Sequence, residues 1–202
     1  MTLQQTLMEL TRASLLLQLN QSGPEREVAW TEFNDLYAPI IAGFARRMGA
    51  KPQDVEDLVQ DVLQAFFRAS PEFVYNPDRG RFRGYLKTCV WSKLVSLRRR
   101  KNAELPSVEH REPDEVAVET VWNDVWETEK LGRALAVVRE RYSTNPERQR
   151  TFRAFELCTL LDRPVEQVAA ELGLSQESVR AAKSRVSKAL RQAFETLDAI
   201  TG

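Results

Sequence analysis

PVEQVAAELGLSQESVRAAKSRVSKALR, residues 164–191, decides the fold of the C-terminal part of this chain. Val165, Val168, Ala169 and Leu172 recur at helical spacing and predict a short helix from Pro164 to Leu172. Gly173 permits a sharp turn that a side chain would oppose. Leu174 closes the corner, and Ser175 stands where it can cap a long second helix from Gln176 to about Leu197. Ala169 is small where two helices must approach closely. Val179 and Val186 face inward, which leaves Arg180, Lys183, Ser184, Arg185 and Lys188 on the outer side. This is the pattern of a helix-turn-helix, whose second helix enters the major groove of DNA. Long donors on that helix bridge guanine edges or phosphates. A plain three-helix bundle with a solvated basic face is the competing reading. It gives no reason for the glycine, the small residue and the cap to coincide.

Working back toward the N-terminus, Leu135, Val138 and Tyr142 predict one helix, broken at Asn145-Pro146. Phe152, Phe155, Leu157, Leu160 and Leu161 predict another. A domain over 131–202 follows. Residues 102–130 read as a flexible acidic linker, with Pro106 and Pro113 as breakers; within it Val121, Trp122, Val125 and Trp126 regain helical spacing and could dock on an apolar surface. Residues 25–101 read as a compact helical domain. Trp30, Phe33, Leu36, Tyr37, Ile40, Ile41 and Phe44 share one face of its first helix, which Pro39 is expected to split or kink near Ala38 and Gly49 to end. Val55, Leu58, Val59, Val62, Leu63, Phe66 and Phe67 share the apolar face of a second helix opened by Pro52. A third runs from about Phe82 to Lys101, with Tyr85, Leu86, Cys89, Val90, Leu94 and Leu97 inward. Residues 1–24 form a weakly amphipathic extension ending at Ser22-Gly23-Pro24. The expected fold is therefore all-α: two small helical domains joined by the flexible acidic linker, the second a helix-turn-helix domain.

The formal net charge is zero, but the charge is segregated. Between Arg79 and Lys101 stand nine basic residues and no acidic one; between Ala103 and Glu129 stand nine acidic residues against Arg111. Segregated blocks keep strong local fields. The basic segment suits phosphate neutralisation, and Tyr75, Phe82, Tyr85 and Trp91 could stack on unpaired bases. Helix C-terminal charge beside core aromatics is the plainer account. Asp54, Asp57, Gln60 and Asp61 form an acidic helix face that suits a basic partner helix, or merely complements the helix dipole.

Other chemistry is scarce. His110 is the one histidine, so no Cys/His metal spacing and no Ser-His-Asp set is built around a second one. No glycine-rich phosphate loop is present. An enzyme is not expected, and neither a cofactor nor a metal. Cys89 and Cys158 read as small hydrophobes rather than a disulfide. Leu15, Leu16 and Leu17 make too short an apolar run for a signal peptide, and no stretch approaches the roughly 20 apolar residues of a membrane span. No membrane insertion and a cytoplasmic location are expected.

The ordered set of signals resembles the sigma-70 family of bacterial RNA polymerase sigma factors, in particular its extracytoplasmic-function group. Residues 54–68, DVEDLVQDVLQAFFR, look like that family's polymerase-binding helix. Residues 77–86, PDRGRFRGYL, are similar to the loop and helix start before its promoter-melting segment, and Arg98–Arg100 to the basic end of that segment. Residues 164–191 look like its C-terminal helix-turn-helix. The resemblance implies a non-enzymatic polymerase subunit that directs promoter recognition, −10 melting and transcription initiation. By motif position, Asp54, Asp57, Gln60 and Asp61 would meet the clamp helices of the largest subunit of the polymerase core. Arg81, Arg83, Lys87, Trp91, Arg98, Arg99 and Arg100 would lie near the −10 strand. Ser175, Gln176, Ser178, Arg180, Lys183, Ser184, Arg185 and Lys188 would meet the −35 duplex. The family also admits an anti-sigma factor as a partner. The chain departs from the family's pattern at Trp91-Ser92, where Arg-Asn is common, and at Arg180-Ala181-Ala182, where Lys-Ser-Arg is common. The alternative is a stand-alone helix-turn-helix regulator that binds duplex DNA without polymerase. A DNA-processing enzyme such as a recombinase is a more distant rival.

Overall fold

The computed structural model of the chain describes residues 12–73, 82–104 and 114–201, with side chains over 15–73, 82–100 and 114–197. Among these residues every regular element is helical, so the protein is all-α as expected. The expectations that fall on Tyr75, Arg79, Arg81, Lys101, Pro106, His110 and Pro113 lie outside the described residues or side chains. Chain contacts divide the protein into two units, one ending at Glu129 and one beginning at Lys130.

In the first unit, α1 (Arg12–Leu19) buries Leu15, Leu16 and Leu19 in the same core as the helices that follow. Asn20 Nδ2 donates to the Phe73 carbonyl at 3.1 Å, and Arg26 Nη2 to the Phe67 carbonyl at 3.0 Å. The segment ahead of residue 24 is thus tied to the domain rather than only preceding it. Helix α2 (Pro24–Arg47) starts on a proline, whose missing N–H costs nothing there, and ends on Arg46 and Arg47, which complement its dipole. Its closure is a Schellman motif: Gly49 takes φ +85°, Gly49 N–H bonds the Arg46 carbonyl and Ala50 N–H the Ala45 carbonyl, both at 2.9 Å. The expected split at Pro39 is absent, and α2 is one helix through it. Leu36, Tyr37, Ile40 and Ile41, buried on both sides of the proline, hold the backbone helical against the lost hydrogen bond.

Helix α3 (Pro52–Ala69) buries Val55, Leu58, Val62, Leu63 and Phe66, and a 3₁₀ turn, Ser70–Glu72, ends it. Helix α4 (Phe82–Glu104) buries Phe82, Leu86, Val90 and Leu94. The buried stripe is narrower than the sequence reading: Cys89 and Leu97 are half-buried and Tyr85 is 39% exposed. Phe33, Phe66 and Phe82 meet at the centre with ring centroids 4.7–5.8 Å apart. Such aromatic pairs add about 0.5–1.5 kcal/mol each beyond their burial.

Helix α5 (Glu115–Tyr142) corrects the linker expectation. Asp114 caps it, its Oδ1 accepting from the Ala117 N–H at 2.7 Å. Residues 115–129 are helical and not a flexible linker, because Val118, Trp122, Val125 and Trp126 are buried in the first unit's core. Trp122 stands edge-on to Phe44 at 5.0 Å and Trp126 lies 6.0 Å from Tyr37. Truncating a residue of this size in a core costs about 3–5 kcal/mol.

The second unit begins on the later half of α5, where Ala134 and Val138 are buried. Asn145 caps α6 (Pro146–Phe155), accepting from the Arg148 N–H at 2.9 Å. A π-helical turn, Glu156–Leu160, prolongs α6. Leu157 and Cys158 stay buried there, while Leu160 and Leu161 are 48% and 60% exposed. Helices α7 (Val165–Leu172) and α8 (Gln176–Thr201) complete the unit. Phe152, Phe155, Val186, Ala193 and Leu197 form one apolar cluster; Leu157, Val168, Ala169, Val179 and Ala182 form another. Cys89 and Cys158 are free thiols.

Candidate nucleic-acid and partner interfaces

The exposed side of α3 is set by its amphipathic spacing. Asp57, Gln60, Asp61 and Gln64 fall opposite the buried stripe, with Asp54 half-covered in the first turn. They form one wall of a surface groove whose other wall, from α4, carries Lys93, Leu97 and Arg100. Lys93 Nζ lies 3.4 Å from Asp61 Oδ2. The sequence marks this face of α3 as acidic; the fold sets a cationic rim beside it. A partner helix seated there meets carboxylates and amides on one side and cations on the other.

The basic segment read as one block is distributed by α4 around the helix. Arg83, Lys87, Trp91 and Arg98 follow one flank of the buried stripe, and Lys93 and Arg100 the other. Arg83 and Lys87 face acids that the sequence reading assigned to the linker. Lys87 Nζ pairs with Glu119 Oε2. Arg83 donates to Asn123 Oδ1, lies 3.8 Å from Glu127 Oε1 and stacks 5.0 Å from the Trp126 ring centroid. Arg98 donates to the Met48 carbonyl and lies 5.4 Å from the Trp91 ring. Trp91 is therefore a packing platform for Arg98 as well as a candidate stacking surface. Arg99 is exposed. No sequence-local signal tied Arg83 to Asn123 or Lys87 to Glu119. The tryptophan pair Trp122 and Trp126 was the available clue, since it needed an apolar surface to dock on.

On α4, Tyr85 stands beside Cys89 over a shallow groove shared with Val62, Ala65 and Phe66 of α3. Partial burial, with the Cys89 thiol as hydrogen-bond partner, pushes the Tyr85 phenol up to about 12. It is a neutral donor at physiological pH.

In the second unit Gly173 adopts φ +61°, and Leu174 N–H closes on the Ala169 carbonyl at 2.9 Å. Ser175 Oγ accepts from the Ser178 N–H at 3.1 Å, capping α8. Burial of Val179, Ala182 and Val186 turns Gln176, Ser178, Arg180, Lys183, Ser184, Arg185 and Lys188 outward, and all are exposed together with Ser175. Arg180 Nη2 donates to Gln176 Oε1 at 3.0 Å, which orients the guanidinium along the helix. Among the described residues, no group of three His, Cys, Asp or Glu could hold a metal ion, and no helix is long and apolar enough to cross a membrane.

Residues 35–104, from within α2 to the end of α4, match the family model for Sigma-70 region 2. The match supports a sigma-70 family member, a class that is non-enzymatic in general, with a role in promoter recognition and transcription initiation. With that role go association with RNA polymerase core and with promoter DNA. No curated protein matches the chain significantly.

Proposed function

We propose that the chain is a cytoplasmic sigma factor of the extracytoplasmic-function group. It binds the clamp helices of the polymerase core through the α3 wall, Asp54, Asp57, Gln60 and Asp61. It engages the −10 strand through Arg81, Arg83, Lys87, Trp91 and Arg98–Arg100, and reads the −35 duplex through the exposed side of α8. The observation that carries the reading is the region 2 match over the helices that bear the α3–α4 groove. The turn at Gly173 and the exposed cations Arg180, Lys183, Arg185 and Lys188 of α8 support a helix-turn-helix use of α7 and α8. The work done is binding: contacts captured from an unpaired strand offset the loss of base stacking.

Run-off transcription with purified core polymerase on a promoter library tests it. Specific start points that appear only when the chain is added are the expected result. Tight operator binding without core, and no initiation with it, would instead identify a stand-alone regulator.

A further inference from the structure

Arg83 and Lys87, two of the cations proposed to meet unpaired DNA, are already engaged within the first unit. Their side chains are only 20% and 24% exposed. Glu119, Asn123 and Glu127, one turn apart along α5, form a row that follows the Arg83–Lys87 spacing on α4. Asp124 extends the row to Arg47 of α2 at 3.7 Å. The carboxylates of Glu119 and Glu127 stay about half exposed, so a phosphate approaching Arg83 or Lys87 meets negative charge first. Beneath this row the seat is imperfect: the Trp122 indole N–H is buried without a hydrogen-bond partner among the described residues.

We propose that residues 115–129 of α5 are an intramolecular competitor for the nucleic-acid strand, covering Arg83 and Lys87 until displaced. This rests on the reading of those two residues as strand ligands. Gln in place of Glu119 and Glu127 would fill the same space without the charge. Exposing two cations adds counterion release, so affinity for single strands rises and its salt dependence steepens.

The test uses the full chain and a fluorescein-labelled single-stranded DNA of mixed sequence, read by anisotropy over a salt series. E119Q/E127Q is expected to bind about fivefold or more tightly at low salt, with a slope against log salt steeper by about one. E25Q/E27Q removes the same charge from the exposed start of α2 and is expected to bind like the wild type. R83A/K87A is expected to change little alone and to abolish the gain in the E119Q/E127Q background. Gly43→Leu, which displaces α5 sterically through Val125 and removes no charge, is expected to reproduce the gain. Weaker or unchanged binding by E119Q/E127Q, with R83A/K87A already weakened alone, would overturn the competitor and leave the strand site standing. Indifference to R83A/K87A in both backgrounds would overturn the strand site and the competitor together.

Discussion

Gly43 of α2 and Val125 of α5 meet so closely that a Cβ on Gly43 would stand 3.0 Å from Val125 Cγ1. The absent side chain is what lets the tryptophan-bearing half of α5 lie against α2. Gly43→Ala gains helix propensity of up to about 1 kcal/mol, while the overpacking costs about 1–3 kcal/mol. Net destabilisation is expected in urea melts, and a double-mutant cycle with Val125→Ala, which frees the space, is expected to show favourable coupling.

Tyr85 gives a pH signature. Its phenol is held up to about 12, against an ordinary value near 10. The folded protein keeps that proton where the unfolded chain has lost it. This stabilisation is present below the ordinary value and disappears as pH rises through the folded one. Phenolate absorbance should show one tyrosine titrating late, and Cys89→Ala should bring it back toward the ordinary range.

The cap and the turn of the second unit are separately testable. Ser175→Ala removes the hydrogen bond to the Ser178 N–H and is expected to cost about 1 kcal/mol. Gly173→Ala forces a side chain into left-handed backbone, at a cost of about 1–2 kcal/mol. Chemical denaturation, followed by hydrogen exchange of α7 and α8 amides, should assign both losses to this unit.

Charge reversal separates the proposed surfaces. Reversing Asp57 and Asp61 is expected to weaken core-polymerase binding by tenfold or more, about 1.4 kcal/mol, and to leave duplex affinity unchanged. Reversing Arg180 and Lys183 is expected to do the opposite. Equal effects of both pairs on both activities, measured by core pull-down and mobility shift, would remove the division of labour.

The helices were legible where one face is buried: the Val55–Phe66 stripe, the Gly49 and Gly173 closures and the Ser175 cap all follow from local chemistry. Pro39 misled because propensity is local while its neighbours Tyr37 and Ile40 are held by the tertiary core. The spacing of Trp122 and Trp126 marked a helix able to dock on an apolar surface, but composition does not say which core receives it, so the stretch read as a flexible linker. The helix suggested by Phe152 to Leu161 ends in a π-helical turn that the apolar spacing alone does not reveal. Of the candidate interfaces, the exposed rows of α3 and α8 could be read from periodicity alone. The pairing of Arg83 with Asn123 and of Lys87 with Glu119 could not, since partners 40 and 32 residues apart leave no local trace.

That separation also has a consequence for biogenesis. A ribosome adding about 5–20 residues per second delivers the arginines and lysines of α4 seconds before Glu119, Asn123 and Glu127. In that interval the basic run of α4 stands uncovered, with an unfilled indole socket beside Phe44 and Tyr37. It is most open to stray RNA, and to proteases, just before synthesis of α5 seals it.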